Sequence, residues 1–265
     1  MKRALVTGAS RGIGRAIAES LLRDGYEVTG TSRHPEAIRE TERLSGVRYL
    51  PLDLASEQSI NGLTHALGDL DLLVNNAGQS QIGAVEEVPM EKARALFQAN
   101  FFGTMSLIQR VLPGMRGRRH GMIISIASFA AVTPVPFLTL YGASKAALLA
   151  LHRGLRHEVS PWEIRVAVVA PLDVNTAIPL DVCYDEGSAY LPSVATVRAI
   201  RDKGLAAAPQ PALIAEAVVR ILHARHPRLL TVAGRGAAST GFLVKHLPAA
   251  IVERIVRRRY GLSAT

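Results

Sequence analysis

Thr7-Gly8-Ala9-Ser10-Arg11-Gly12-Ile13-Gly14 decides the fold of this chain. It follows an apolar run at 4–7 and opens a helical pattern at 12–24, so it reads as a strand-to-helix turn. Residues without bulk let the backbone turn sharply and approach a diphosphate, whose charge then faces the unpaired N–H groups at the start of the helix. The spacing is GxxxGxG, not the commoner GxGxxG, and the strand-to-helix setting gives the signal its specificity.

Outward from this turn, apolar runs at 4–7, 27–31, 47–50, 71–74, 121–126, 166–169 and 229–232 predict seven strands. They lack polar/apolar alternation, as expected of strands covered on both faces. Helical patterns at 12–24, 57–66, 91–112, 141–158 and 211–223 lie between them. Strand and helix in alternation imply right-handed crossovers and a parallel sheet. The expected fold is therefore α/β, a Rossmann-type doubly wound seven-stranded parallel sheet with helices on both faces, in a single domain spanning 1–265. Residues 176–210 interrupt the alternation with prolines, glycines and a weak helix, and read as a substrate loop.

Composition narrows the class. Lys and Arg number 31 against 22 Asp and Glu, a net charge of +9 that suits anionic cofactors, nucleic acid or acidic membranes. The basic clusters, Arg116/Arg118/Arg119/His120 and Arg254/Arg257/Arg258/Arg259, lack interleaved aromatic residues, so no nucleic-acid partner is expected. One cysteine, Cys183, rules out an intramolecular disulfide framework. Gly8, Ser10 and Arg11 break the first apolar run before a signal-peptide core forms, and no apolar stretch is long enough to span a bilayer. A cytoplasmic protein is expected. His223 and His226 lie close together but form no HExxH pattern, and no metal site is expected.

Two further motifs join the turn: Asn75-Asn76-Ala77-Gly78 after the fourth strand and Tyr141-Gly142-Ala143-Ser144-Lys145 at the start of a helix. Together the three resemble the short-chain dehydrogenase/reductase family over residues 4–176, in a pattern similar to its steroid and retinol dehydrogenase branch. The resemblance implies that Gly8, Ser10, Arg11, Gly12, Ile13 and Gly14 hold a dinucleotide, with Asp53 at the adenine and Asn76, Ala77 and Gly78 along the cleft. Asp53 has a second reading, as the cap of the following turn. NAD users of this family usually carry an acidic residue where Ser32 stands. Ser32, Arg33 and Arg11 would instead bond a 2′-phosphate, so NADP(H) is the expected cofactor.

Tyr141 and Lys145 are four residues apart and share one helix face. A phenol is a poor base at neutral pH, and a nearby ammonium favours its phenolate. The resemblance makes Asn100, Ser128, Tyr141 and Lys145 the catalytic set. Tyr141 moves a proton while hydride passes between the nicotinamide and a carbonyl or secondary alcohol, Ser128 holds the substrate oxygen, and Asn100 perturbs its helix and helps hold a relay water. Pro171, Val174 and Thr176 extend the cofactor site, Thr176 at the carboxamide. Leu172 is the clearest departure, standing where the family usually has glycine.

Apolar residues before Tyr141 and within 176–210 suggest a hydrophobic ketone or alcohol as substrate. The basic, amphipathic tail at 241–265, broken by Pro248, has two readings. It packs beside the substrate loop or another subunit, or, less favoured, it contacts a membrane surface. The family's habits imply a homodimer or homotetramer. The rival function is an NADP(H)-binding regulatory protein without turnover, against which the intact catalytic set argues.

Overall fold

The computed structural model describes residues 1–176 and 178–262. Ala177 of the expected substrate loop and residues 263–265 of the expected tail lie outside the described residues. In chain order the elements are β1 (Lys2–Val6), α1 (Gly12–Arg23), β2 (Tyr26–Ser32), β3 (Val47–Pro51), α2 (Glu57–Ala66), β4 (Leu72–Asn75), β5 (Ser80–Ile82) and α3 (Met90–Phe97). A π-helical turn (Gln98–Phe102) follows, then α4 (Gly103–Arg118), β6 (Gly121–Ile126), α5 (Thr139–Glu158), β7 (Ile164–Pro171), β8 (Leu180–Val182) and α6 (Leu191–Ala206). The chain continues through α7 (Ala212–His223), β9 (Leu230–Ala233), α8 (Ala237–His246) and α9 (Ala249–Arg259).

Seven parallel strands form one sheet in the order β3-β2-β1-β4-β6-β7-β9, matching the seven apolar runs. Neighbouring strand residues face opposite sides: Val6, Val74 and Ile124 pack with Ile17 and Leu21 of α1 and Val218 of α7, whereas Leu5, Leu73 and Ile123 pack with Ile60 of α2 and Leu107 of α4. Both faces being covered explains why the central strands β4, β6 and β7 are apolar nearly throughout. Each such side chain taken fully out of water contributes about 1.5–3 kcal/mol before the entropy of ordering it. The strand order reverses between β1 and β4, which places a crevice beyond their carboxyl ends.

Two expectations need correction. The helix expected over 91–112 is broken by the π-helical turn at Asn100 and then runs through Pro113 to Arg118, so Pro113 does not end it. The segment 176–210 holds more structure than expected, because besides the anticipated helix, Leu191–Ala206, the strand Leu180–Val182 pairs in parallel with Ser80–Ile82. Backbone pairing across distant segments, which no local pattern encodes, orders it. In the tail, Val256 of α9 and Tyr260 join the cluster that contains Val194 and Val197 of α6. No helix among the described residues is long and apolar enough to cross a membrane.

Candidate active site

The turn between β1 and α1 forms one wall of a cleft of about 1200 Å³. Gly12 has a φ of +56°, the left-handed region that a side chain disfavours. Gly14 does not line the cleft. A Cβ there would stand 2.2 Å from the Gly8 carbonyl oxygen and 2.4 Å from Asn76 Nδ2, so Gly14 lets α1 pack against the turn. Helix α1 starts without a side-chain cap, and its first N–H groups are thereby left to a ligand. Asn76 fixes the turn from the β4 side. Its Nδ2 donates to the carbonyls of Thr7 (2.9 Å) and Gly8 (3.2 Å), while the Asn76 and Ala77 amides donate to Thr7 Oγ1.

At one end of the cleft lie Arg11, Ser32, Arg33 and Asp53. Both arginines are exposed, and neither guanidinium has an ion pair or hydrogen-bond partner among the described residues. The Ser32 hydroxyl oxygen accepts from the His34 amide at 3.3 Å, which leaves its proton to donate. Asp53 caps the following turn, accepting from the Ala55 amide at 2.9 Å, and still borders the cleft. The capping reading is the one the hydrogen bonds show.

At the other end lie Ser128, Tyr141 and Lys145, brought in by β6 and α5. Lys145 is 3% exposed. Its amine donates to the Ile126 carbonyl at 3.3 Å, and burial lowers its pKa to about 8. Burial raises the pKa of Tyr141; the Ser128 hydroxyl and the Arg201 charge pull it back down. Ser128 Oγ accepts from the Ala130 amide at 3.1 Å, which orients the hydroxyl.

Asn100 sits behind this group rather than in the cleft. Fully buried in the π-helical turn, it accepts from the Gln79 amide at 2.8 Å and donates to the Gln79 carbonyl (2.9 Å) and Ser144 Oγ (3.1 Å). It clamps the segment after β4 to α5. A Cβ on Gly78 would lie 3.0 Å from Asn100 Oδ1 and 3.2 Å from Lys145 Nζ, so Gly78 admits both side chains.

A family model described as short chain dehydrogenase matches residues 2–183. The chain belongs to that family. Over 176 residues, 65% of the chain, this short-chain dehydrogenase is 38% identical to a 3-ketodihydrosphingosine reductase of Bacteroides thetaiotaomicron. The match spans 64% of that relative, a little under two thirds. A solved short-chain dehydrogenase from Streptomyces avermitilis is similar over 98% of both chains, with 32% identity and a TM-score of 0.84. Pseudomonas aeruginosa RhlG, solved as an NADP active-site complex, is 36% identical, with a TM-score of 0.62 over 66% of this chain and 74% of its own.

In this short-chain dehydrogenase, Leu172 is accommodated by a second glycine. The backbone turns at Gly234 with φ of +136°, and a Cβ there would stand 2.8 Å from Leu172 Cβ. Pro171, Leu172, Val174 and Thr176 all border the cleft, as do Ile13, Ala77 and Gly78. Residues not assigned to the site from the sequence complete it. Asp173 beside Leu172 accepts from Arg259 Nη2 at 2.9 Å, tying the loop after β7 to the end of α9. Leu243, Val244, Leu247, Ile255 and Val256 of the tail roof the cleft, and Arg201 reaches it from α6. The tail thus packs beside the segment that follows β8. The local signal for Arg201 was its helical spacing from Val194 and Val197.

Behind the site, the core holds a polar chain. Asn75 Nδ2 donates to Ser125 Oγ (3.2 Å), which in turn lies 2.7 Å from His152 Nε2, while His152 Nδ1 is 2.8 Å from the Leu148 carbonyl. The carbonyl requires the proton on Nδ1, so Nε2 accepts from Ser125. Ser125 is accordingly a structural partner of α5, and Ser128 alone of the two serines faces the cleft.

Proposed function

We propose that the chain is an NADP(H)-dependent oxidoreductase that interconverts a hydrophobic ketone and the corresponding secondary alcohol. The observation that carries this reading is the placement of Ser128, Tyr141 and Lys145 at one end of a cleft whose other end presents Arg11, Ser32 and Arg33. The two guanidinium groups and the serine hydroxyl suit a 2′-phosphate, and the uncapped start of α1 suits a diphosphate. The NADP complex of RhlG supports the same choice.

Bound there, the nicotinamide supplies or accepts the hydride. Tyr141 carries the accompanying proton, donating it from Oη to the substrate oxygen in reduction and taking it back in oxidation. Ser128 donates a hydrogen bond to the same oxygen and fixes it beside the phenol. The Lys145 charge favours the phenolate after the proton has left. Asn100 holds the segment carrying Gly78 against α5, and with it the floor on which these groups meet. The apolar roof from Leu243 to Val256 matches a hydrophobic substrate.

The test is NADPH consumption across a panel of aliphatic and alicyclic ketones, run beside Tyr141→Phe. Turnover that the substitution lowers by about 10²–10⁴ supports the reading. Tight NADPH binding without tyrosine-dependent turnover of any carbonyl or alcohol sinks it in favour of a regulatory NADP(H)-binding protein.

A further inference from the structure

We propose that the substrate of this cleft carries an anionic group, a carboxylate or a phosphate ester, and that Arg201 binds it. Calling the occupant a substrate rests on the oxidoreductase reading; the binding of the anion does not.

Along α6, Val194 and Val197 are fully buried, and Arg201 follows four residues after Val197 on the same face. Leu205, one turn further on, also borders the cleft. Helical spacing therefore puts a guanidinium where an apolar residue would complete the inward face. Its side chain is only 12% exposed. An arginine does not shed its charge when buried, so an anion must meet it or the position costs stability.

The protein supplies only a fraction of one. Arg201 Nη1 lies 3.1 Å from Asp202 Oδ1, and the same carboxylate lies 3.7 Å from Arg198 Nε, so one half-exposed carboxylate serves two guanidinium groups. Asp173, the other acid at this end of the cleft, is taken by Arg259 at 2.9 Å. Nε and Nη2 of Arg201 have no partner among the described residues. That edge offers two parallel N–H groups, the geometry that binds a carboxylate or phosphate through two oxygens.

The site also fixes where the anion sits. Arg201 borders the same cleft as Tyr141, and its charge is felt at the phenols of Tyr141 and Tyr260. Aliphatic side chains of α8 and α9 make up most of the roof around it, which also carries Arg235, Thr240, Arg259 and Tyr260. The occupant that satisfies both is an amphiphile with its reacting carbon at Tyr141, its anion close by at Arg201, and its apolar chain under α8 and α9.

The inference is tested by calorimetric binding of decanoate, decyl phosphate, decanol and decylamine to the protein saturated with NADP+, so that Arg11 and Arg33 are already engaged. One anion, or both, should bind at least about tenfold more tightly than decanol, and which of them does so separates carboxylate from phosphate ester. Arg201→Gln should bring the anions to the level of decanol at unchanged NADP+ affinity, and Arg201→Lys should keep part of the preference. Decanol or decylamine binding as tightly as both anions overturns the proposal in the wild-type protein alone, whether or not a variant folds. An anion preference that survives Arg201→Gln overturns it as well. These ligands are read without turnover, so a failure here is distinct from a failure of the NADPH-consumption test.

Discussion

Lys145 Nζ lies 6.0 Å from the centre of the Tyr141 ring, one helical turn further along α5. The same burial that brings the amine to the phenol lowers its pKa from 10.5 to about 8. Between those values the unfolded chain holds a proton that the folded chain has released, so stability of the cofactor-free protein rises with pH across that window. At neutral pH the charged amine costs about 3 kcal/mol. Lys145→Met should therefore melt at a higher temperature than wild type at pH 7, lose that advantage near pH 10.5, and lose turnover. An unchanged or lower melting temperature at pH 7 counts against a buried, strained ammonium.

Cofactor choice should follow the exposed cations. Arg33→Ala is expected to weaken NADPH binding by about tenfold or more while NADH binding changes little. Ser32→Asp adds repulsion against a 2′-phosphate and should reverse the preference. Because Arg11 and Arg33 are solvent-exposed, NADPH affinity should also fall with added salt more steeply than NADH affinity. Fluorescence titration of both nucleotides measures all three, and equal losses for the two cofactors would show that Arg33 does not contact the phosphate.

The buried polar chain under α5 sets the acid limit. His152 is fully buried, and desolvation lowers its pKa to about 4 from 6.5. The unfolded chain takes up that proton first as pH falls, so stability declines from about pH 6.5 toward pH 4, by about 3 kcal/mol in all. A protonated ring has no lone pair for the Ser125 hydroxyl, and the register of α5 against β6 loosens with it. Urea midpoints measured from pH 7 to pH 4 should show this slope in wild type and lack most of it in His152→Leu. The same slope in both proteins assigns acid sensitivity elsewhere.

How far the sequence carried depended on how local each signal was. All seven apolar runs became strands, and the three motifs met in one cleft, because burial on both faces and a strand-to-helix turn are written in consecutive residues. The β5–β8 pair was invisible: Ser80-Gln81-Ile82 and Leu180-Asp181-Val182 are too short and too polar to signal strands, and their pairing joins segments a hundred residues apart. Asn100 was singled out through the family resemblance, but its clamp on Gln79 and Ser144 exists only after three elements have packed. Arg201 went unnoticed because the arginines of a surface helix, such as its neighbour Arg198, usually face water. The spacing of Arg201 from Val194 and Val197 hinted at the inward face, and the packed α6 bears that out.

Leu172, the departure from the family pattern, packs against Gly234, and the pair makes a test of the site's geometry. In Gly234→Ala the new Cβ would stand 2.8 Å from Leu172 Cβ, at a φ of +136° that alanine disfavours. The two effects together should cost roughly 2–5 kcal/mol, read from urea unfolding. Leu172→Gly removes the collision but not the backbone strain. The double variant Leu172→Gly/Gly234→Ala should thus lose less stability than the sum of the single variants, with a coupling of about 0.5–3 kcal/mol. Additive losses would mean that backbone strain alone requires glycine at 234. Since Leu172 borders the cleft beside Pro171, Gly234→Ala should also weaken NADPH binding, and the double variant should recover part of it.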